Sequence, residues 1–297
     1  MPPNIQFNGF LVIDKPAGIT SRDAVDIVQT WFPKHKLGHA GTLDPAATGV
    51  LVMGVGSAAT RLIEYVQDQE KVYRTTFKLG GTSTTDDAEG EITSTNNAVL
   101  PDEEKLKQTL KQFTGTISQT PPAFSAARVQ GERAHTKARR GEDVILQPRQ
   151  VTVHDIRWMS YQYPDLELEI RCSKGTYIRS IARDLGEALG IGGYVQKLRR
   201  TRIGSLTCDQ AVPLTATAEE AHTALLPMAV AASQLVKCDV SAEDADRLQK
   251  GQTLRGHRSG LNMGEVALWK ADRFLGIGKY DAVQEFLKPV KMVLVDQ

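Results

Sequence analysis

The sequence predicts an α/β or α+β protein, because strand-like and helix-like segments alternate irregularly along the chain. Three observations lead to this fold class. Short apolar runs rich in β-branched residues, typical of buried strands, lie between amphipathic helical segments. The 297 residues include 41% hydrophobic and 24% charged residues, as in an ordinary globular protein. Neither an internal repeat nor a low-complexity linker interrupts the pattern.

The N-terminal part begins with a predicted strand over 10–13, which runs into the turn DKPAG. Thr20 can cap the following helix, and Asp23 stands at the reciprocal position of a capping box. The apolar face of that helix would be formed by Ala24, Val25, Val28 and Trp31. A loop rich in glycine and threonine, 38–49, then leads to a predicted buried strand over 50–55.

The remaining elements follow from the same patterns. We predict helices over 58–66, 102–113 and 178–189, and strands over 72–79, 151–158 and 166–172. Residues 118–150 form the least regular part of the chain. After about residue 235 a short helix (242–250) precedes strand-like runs at 265–269, 274–280 and 290–295. These runs predict a β-rich module of about 60 residues. Such a module would be marginally stable alone but stable when packed against the rest of the chain.

The net charge of +1 argues against a strongly basic nucleic-acid binder, but the charge is unevenly distributed. Residues 85–104 include seven acids and no Lys or Arg, and we expect this run to face solvent. Residues 128–149 carry six Lys or Arg against three acids, and 197–202 carry four cations and no acid. Because phosphate recognition depends on local charge, these two basic runs are candidate phosphate contacts.

Cysteine usage and hydropathy limit the cellular setting. Three scattered cysteines, Cys172, Cys208 and Cys238, predict neither a disulfide framework nor a metal knuckle, and we expect no metal. No apolar run approaches the roughly 20 residues of a membrane-spanning helix. The first residues lack the basic and apolar regions of a secretory signal. We therefore expect a cytoplasmic protein that does not engage a membrane.

The segment GHAGTLDPAATG, residues 38–49, surrounds a single carboxylate with three glycines. Glycine allows a backbone to approach a ligand closely, and Pro45 pushes Asp44 toward an extended conformation. A lone Asp-Pro pair is more often a simple turn. However, this one directly precedes a predicted buried strand, where a rigid scaffold commonly presents functional loops. Asp44 is therefore the leading candidate for a catalytic residue.

The wider segment GHAGTLDPAATGVL resembles the catalytic-loop motif of the TruB family of pseudouridine synthases, in which the aspartate is the nucleophile. Five more segments resemble family motifs, in family order, across about residues 9–205: FLVIDKPAGITS, KVYRTTFKLG, PPAFSAARVQGERAHTKARRGE, CSKGTYIRSIARDLG and YVQKLRRTRIG. The resemblance implies a pseudouridine synthase fold with a mixed, largely antiparallel sheet flanked by helices. It assigns 1–235 to a catalytic domain, about 118–150 to an RNA-binding thumb, and, more loosely, 236–297 to a PUA-like domain.

The resemblance also implies site roles. Asp44 would be the nucleophile, Arg179 its ion-pair partner, and Tyr73 would stack on uracil and is a candidate proton-transfer base. Among the substrate-binding positions, His39 would fill the stack left by the extruded base. The others are Tyr177 and Leu198 lining the base pocket, Lys15 supporting the site loop, and Arg199 and Arg200 contacting phosphate. Each residue type also has an ordinary explanation: a core aromatic for Tyr73, a surface cation for Arg179, a turn residue for His39.

The function implied is conversion of uridine 55 in the T arm of tRNA to pseudouridine. No redox change or energy input occurs, so no cofactor is expected. The thumb is absent from guide-dependent relatives, which implies a stand-alone monomer without guide RNA or protein partner. Whether Asp44 attacks the sugar or the base stays open.

Two other hypotheses are a tRNA-folding chaperone with secondary or lost catalysis, and a glycoside hydrolase using Asp86 or Asp87 as a second carboxylate. The hydrolase is disfavoured because that acidic run is expected to face solvent.

Overall fold

The computed structural model describes residues 6–95, 100–125, 128–129, 132–133, 137, 140, 142 and 146–293. A ten-stranded sheet forms the centre of this structure. With strands numbered in chain order, the sheet runs from one edge to the other as β14 (Val212–Pro213), β1 (Gly9–Lys15), β3 (Thr48–Val55), β12 (Gly193–Ile203), β4 (Lys71–Leu79), β11 (Asp165–Cys172), β10 (Arg149–Gln162) and β7 (Gly115–Gln119). Two short strands pair outside that path, β2 (Leu37–His39) with β3 and β13 (Leu206–Thr207) with β12.

The pairing of these strands is mixed. Only β1 with β14 and β3 with β12 run parallel among the described pairs of the sheet. The others are antiparallel, including the long ladders that join β12, β4, β11 and β10. The mixed, largely antiparallel sheet expected from the sequence is therefore confirmed.

Helices and small ladders complete the described structure. The helices are α1 (Ser21–Trp31), α2 (Ser57–Arg61), α3 (Ile63–Gln67), α4 (Glu103–Leu110), α5 (Ile178–Ala188), α6 (Ala218–Thr223) and α7 (Ala242–Gln249). Two-stranded ladders join β5 (Gly81–Ser83) to β6 (Ile92–Ser94), and β8 (Arg128–Val129) to β9 (Glu132–Arg133). The capping box of α1 is present, with Thr20 and Asp23 each accepting a backbone hydrogen bond from the other. The single helix predicted over 58–66 is instead two short helices that meet at Leu62.

Side chains alternate between the two faces of β1 and β3, and each face builds a separate core. On one face, Leu11, Ile13, Leu51 and Met53 pack with the buried sides of α1 and α5. On the other face, Phe10, Val12, Val50 and Val52 meet α2, α3 and the C-terminal module. The face with α1 and α5 is the one that carries the candidate site.

The C-terminal module is a five-stranded sheet with one helix, α7. Its strands follow the order β15 (Val236–Asp239), β17 (Gly264–Lys270), β18 (Arg273–Asp281), β19 (Phe286–Met292) and β16 (Leu254–Arg255). β19, the last described strand in the chain, begins earlier than the predicted 290–295, and residues 294 and 295 lie outside the described residues. The module has a small core of its own, and it also contributes Ala267, Phe274, Ile277 and Val293 to the second face of the large sheet.

The helix α5 approaches the start of β12 with almost no space between the backbones. A Cβ atom on Gly186 would lie 2.1 Å from Gly193 N and 2.2 Å from the Gly192 carbonyl carbon. The backbone N–H groups of Ile191 and Gly192 also donate to the Gly186 carbonyl, at 3.0 Å each. Arg179 lies in the first turn of this same helix, seven residues before Gly186.

We expect Gly186→Ala to lower the free energy of unfolding by about 3 kcal/mol, because the added methyl forces two backbones apart. Urea unfolding followed by circular dichroism measures the loss. The matched control is Glu187→Ala at the exposed neighbouring position, which should change stability by less than about 0.5 kcal/mol. Equal stability of the two variants would contradict this account of the helix contact.

Candidate active site

The loop that carries Asp44 connects β2 to β3 and is fastened to the N-terminal segment on both sides of the carboxylate. Before it, the Leu43 backbone N–H donates to Ser21 Oγ at 2.9 Å, and Ser21 Oγ donates to the Leu43 carbonyl at 3.0 Å. After it, the Pro45 carbonyl accepts from the Gly18 N–H at 2.9 Å and from Lys15 Nζ at 3.1 Å. The peptide units next to Asp44 are therefore fixed while its side chain projects from the loop.

Lys15 supports this loop from inside the protein. Its side chain is fully buried, and Nζ donates to the carbonyls of Pro16, Ile19 and Pro45. Burial lowers the pKa of Lys15 to about 8, although the nearby Asp44 charge opposes this effect. All three donors of the ammonium are used within the protein. The grouping of Lys15 with the substrate-binding residues is therefore wrong, whereas its supporting role agrees with the structure.

Arg179 lies in the first turn of α5 and is the direct partner of Asp44. Arg179 Nε lies 3.1 Å from Asp44 Oδ2, and Nη1 lies 3.2 Å from Asp87 Oδ2. The remaining donors reach two backbone carbonyls, with Nη1 2.9 Å from Thr85 O and Nη2 3.0 Å from Phe124 O. The side chain of Arg179 is only 5% exposed, whereas that of Asp44 is 37% exposed. The arginine is thus held as a fixed cation, and the aspartate remains open to an incoming ligand.

The charge state of Asp44 reflects two opposing influences. The protein surrounds the carboxylate on most sides, and this burial raises the pKa of Asp44. The Arg179 charge opposes the increase most strongly, with smaller contributions from Lys15 and Arg200, while the nearby Asp87 charge adds to it. An ionised Asp44 therefore depends on the three buried cations around it.

Asp87 is a site residue that the sequence suggested only under the disfavoured hydrolase hypothesis. The side chains of Asp86 and Asp87 are only 14% and 10% exposed, so the expectation that this acidic run faces solvent is wrong for both. Asp86 pairs with Arg183 at 2.8 Å, and Asp87 accepts from Thr85 Oγ1 and the Glu89 backbone N–H. The sequence held one signal for this: Arg179 and Arg183 stand one helical turn apart in α5, and arginines that pack inside a protein are usually paired with carboxylates.

Tyr73 lies on β4 directly beside Arg200 of β12, and the phenol is buried on the same face of the sheet as Asp44. Burial raises the pKa of Tyr73, the adjacent Arg200 lowers it, and the Asp44 charge raises it again. The phenol therefore keeps its proton at neutral pH. Leu198, two residues before Arg200, is half-buried and packs against the same core.

Tyr177 occupies the N-cap of α5 and is joined to the base of the predicted thumb. Its backbone N–H donates to Gln119 Oε1 at 2.8 Å, and Gln119 Nε2 donates to its carbonyl at 3.0 Å. The Arg149 guanidinium lies 4.7 Å from the centre of the Tyr177 ring. His39 is half-buried at the end of β2, where the loop of Asp44 begins. Much of the predicted thumb lies outside the described residues.

The two candidate phosphate contacts on β12 have different environments. Arg199 is 40% exposed and binds Asp14 through two hydrogen bonds of 2.9 and 2.8 Å. Arg200 is 2% exposed, and its guanidinium donates to backbone carbonyls inside the protein. A buried guanidinium cannot contact a phosphate at the surface, so the prediction for Arg200 is wrong. The prediction for Arg199 stays a prediction.

The described residues contain no helix with the length and apolarity to cross a bilayer. Their His, Cys, Asp and Glu side chains also form no group of three or more that could hold a metal ion.

Comparison with known proteins identifies the family of this chain. The model of the TruB family pseudouridylate synthase N-terminal domain matches residues 29–178, and that of the tRNA pseudouridylate synthase B C-terminal domain matches residues 179–228. A protein from Thermobifida fusca (strain YX) named tRNA pseudouridine synthase B is 45% identical over 275 residues, covering 89% of this chain and 92% of the relative. The chain belongs to the TruB family.

Other relatives support membership of the TruB family. A tRNA pseudouridine synthase B from Synechococcus sp. (strain WH7803) is 41% identical and covers 92% of this chain and 93% of its own length. Among solved structures, an H/ACA RNP bound to a substrate RNA containing 2'-deoxyuridine matches with a TM-score of 0.71 at 25% identity, over 96% of this chain and 83% of that chain. A Cbf5-Nop10-Gar1 complex matches with a TM-score of 0.73 at 24% identity, over 97% and 84%. The structural matches confirm the fold.

Proposed function

We propose that this protein isomerises uridine to pseudouridine in tRNA, at position 55 of the T arm. The observation that carries the proposal is the Asp44 carboxylate, open on one side and held by Arg179 at 3.1 Å on the other. Membership of the TruB family, with relatives named tRNA pseudouridine synthase B, supports this reaction and this class of RNA.

The reaction breaks the N1–C1′ bond of uridine, rotates the uracil and forms a C5–C1′ bond, after which C5 loses its proton and N1 gains one. In the proposal, Asp44 is the nucleophile that forms the covalent intermediate, through either C1′ or the base. Arg179 orients the carboxylate and keeps it ionised. The atoms balance without an oxidant, a reductant or an energy source, so the proposed reaction needs no cofactor and no metal.

The remaining site residues have supporting roles in this proposal. Tyr73 stacks on the extruded uracil as a neutral phenol, and Tyr177 and Leu198 line the pocket of the base. Which group takes the C5 proton stays open. His39 fills the gap that the base leaves in the RNA, since extrusion costs roughly a few kcal/mol of lost stacking and pairing. The half-exposed Arg199 and the thumb contact phosphates.

We further propose that the enzyme acts alone in the cytoplasm, as a monomer without guide RNA or protein partner. Residues 1–235 form the catalytic domain, with a thumb at about 118–150. Residues 236–297 form a PUA-like RNA-binding domain. A separate core in that module supports the boundary. The names of the TruB family relatives, which mention no guide RNA and no partner, support the stand-alone form.

The two other hypotheses are weaker. Asp87 lies close to Asp44, but it is paired to the same arginine and accepts two further hydrogen bonds, so it is arranged as an acceptor rather than as the general acid that a hydrolase needs. The chaperone hypothesis is not favoured, because it gives no reason for a partly exposed carboxylate held by a buried arginine.

The test is a product analysis with tRNA transcripts tritiated at uracil C5. We expect release of one tritium per tRNA, pseudouridine as the new nucleoside, and no release from a transcript that carries cytidine at position 55. Free uracil would instead indicate hydrolysis. Faster tRNA refolding without tritium release would indicate the chaperone. Release from the cytidine-55 transcript would show that the position is wrong.

A further inference from the structure

Arg200 is a buried cation whose guanidinium contacts both ends of the Asp44 loop. It is 2% exposed in β12, between β3 and β4. Arg200 Nη2 donates to the Gly41 carbonyl at 3.0 Å, three residues before Asp44. Arg200 Nε donates to the Val50 carbonyl at 2.8 Å, six residues after Asp44. One side chain therefore connects the start of the loop, two residues after β2, with the third residue of β3.

The backbone of the loop is built to allow this contact. Gly41 and Gly49 have φ angles of 97° and 98°, a region that L-residues with side chains avoid. A Cβ atom on Gly49 would lie 2.2 Å from the Arg200 carbonyl oxygen, so β3 could not approach β12 this closely with any other residue there. The close approach to Arg200 thus explains Gly49, whereas Gly41 is explained by its positive φ, since a Cβ there would lie 3.8 Å from Arg200 Nη1.

Within the described residues, no carboxylate lies within ion-pair distance of the Arg200 guanidinium, which donates to the Gly41 and Val50 carbonyls and interacts with the Tyr73 phenol. Burying a cation without a paired anion is costly, and an apolar side chain would fill the same place more cheaply. The cation does act on its neighbours, however. Arg200 lowers the pKa of both Asp44 and Tyr73, which burial raises.

We propose that Arg200 is a positioning residue of the isomerase, one that hydrogen-bonds to both ends of the Asp44 loop and adds a buried positive charge to those of Arg179 and Lys15. This inference rests on the proposed isomerase function. It gives Arg200 two separable tasks. The two carbonyl contacts require the forked guanidinium, whereas the electrostatic effect requires only a cation.

Two substitutions separate these tasks in single-turnover tritium release measured from pH 5 to 9. Arg200→Met removes both, so the rate at pH 7 should fall about 100-fold, as expected for a displaced catalytic group. The acidic limb of its pH–rate profile should also move to higher pH, because loss of a cation raises the pKa of Asp44. Arg200→Lys keeps the charge but has a single nitrogen, so its rate should fall about tenfold with the acidic limb unmoved.

Arg74→Met is the matched control. Arg74 neighbours Tyr73 on β4 but projects to the outer face of the sheet, where it is 61% exposed and pairs with Glu169. The single-turnover rate and pH–rate profile of Arg74→Met should equal those of wild type. Affinity for tRNA, measured by filter binding, should stay within about twofold for all variants, because none of these side chains is proposed to contact phosphate.

The outcomes distinguish this inference from the proposed function. An inactive wild type overturns both. If the wild type is active and Arg200→Lys has a normal rate, the two carbonyl contacts do not matter for catalysis. If the acidic limb of the pH–rate profile does not move in Arg200→Met, the electrostatic role is overturned. Loss of tRNA affinity in proportion to rate would make Arg200 a binding residue instead. If Arg200→Met does not fold, the rate and acidic limb of Arg200→Lys still decide whether the forked contact matters.

Discussion

Replacement of Asp44 by asparagine should abolish pseudouridine formation, with a loss of at least about 10⁴-fold in single-turnover rate. The amide has the shape of the carboxylate but cannot form the covalent intermediate. Arg179 keeps Asp87 and the carbonyls of Thr85 and Phe124 as partners, so the surrounding structure should survive. Tritium release from tRNA labelled at uracil C5 measures the loss, and tRNA affinity should remain that of wild type.

Stability provides a second measurement on the same variant. Because burial raises the pKa of Asp44, the folded protein disfavours the charged form that catalysis requires. Asp44→Asn removes that charge, so its thermal midpoint should be no lower than that of wild type. Measurable turnover by the purified variant, or loss of tRNA binding together with activity, would contradict the assignment of Asp44 as a nucleophile.

Replacement of Arg179 by methionine should reduce the rate at neutral pH by at least about 10³-fold. It should also lower the free energy of unfolding by about 3–5 kcal/mol. The reason is the same for both effects. The substitution leaves Asp44 and Asp87 close together without their shared cation, so the pKa of Asp44 rises and the nucleophile is protonated.

A double variant tests this cause. Adding Asp87→Asn to Arg179→Met removes one unpaired buried charge, so part of the lost stability should return while the rate stays low. Arg183→Met is the control on the same helix, one turn later, where Arg183 pairs with Asp86. It should lose less than about tenfold in rate. If Arg183→Met and Arg179→Met lose equal activity, the effect belongs to the helix and not to the ion pair with Asp44.

The sequence predicted those parts of the fold whose patterns are local. The apolar runs of β1 and β3 and the capping box of α1 depend on residues a few positions apart, and they appear as expected. The Asp44 loop was predictable for the same reason, since its glycines and Pro45 restrict the backbone whatever surrounds them.

The strand β12 was not predicted, although it lies between β3 and β4 in the sheet. Four of its residues are Lys or Arg, and such a run is typical of a solvated surface. Their partners come from distant segments: Arg199 pairs with Asp14, Arg202 with Glu70, and Arg200 with carbonyls of the Asp44 loop. The burial of Asp87 was missed for the same reason, because its partner Arg179 lies 92 positions later in the chain.

The shared core between the large sheet and the C-terminal module has a consequence for biosynthesis. Phe10 and Val12, among the earliest residues of the described structure, share one buried cluster with Phe274, Ile277 and Val293 near its end. In a chain emerging from the ribosome, part of this cluster therefore stays uncovered until residues 274–293 have been translated. During that interval, contact with neighbouring nascent chains or with a chaperone competes with correct burial.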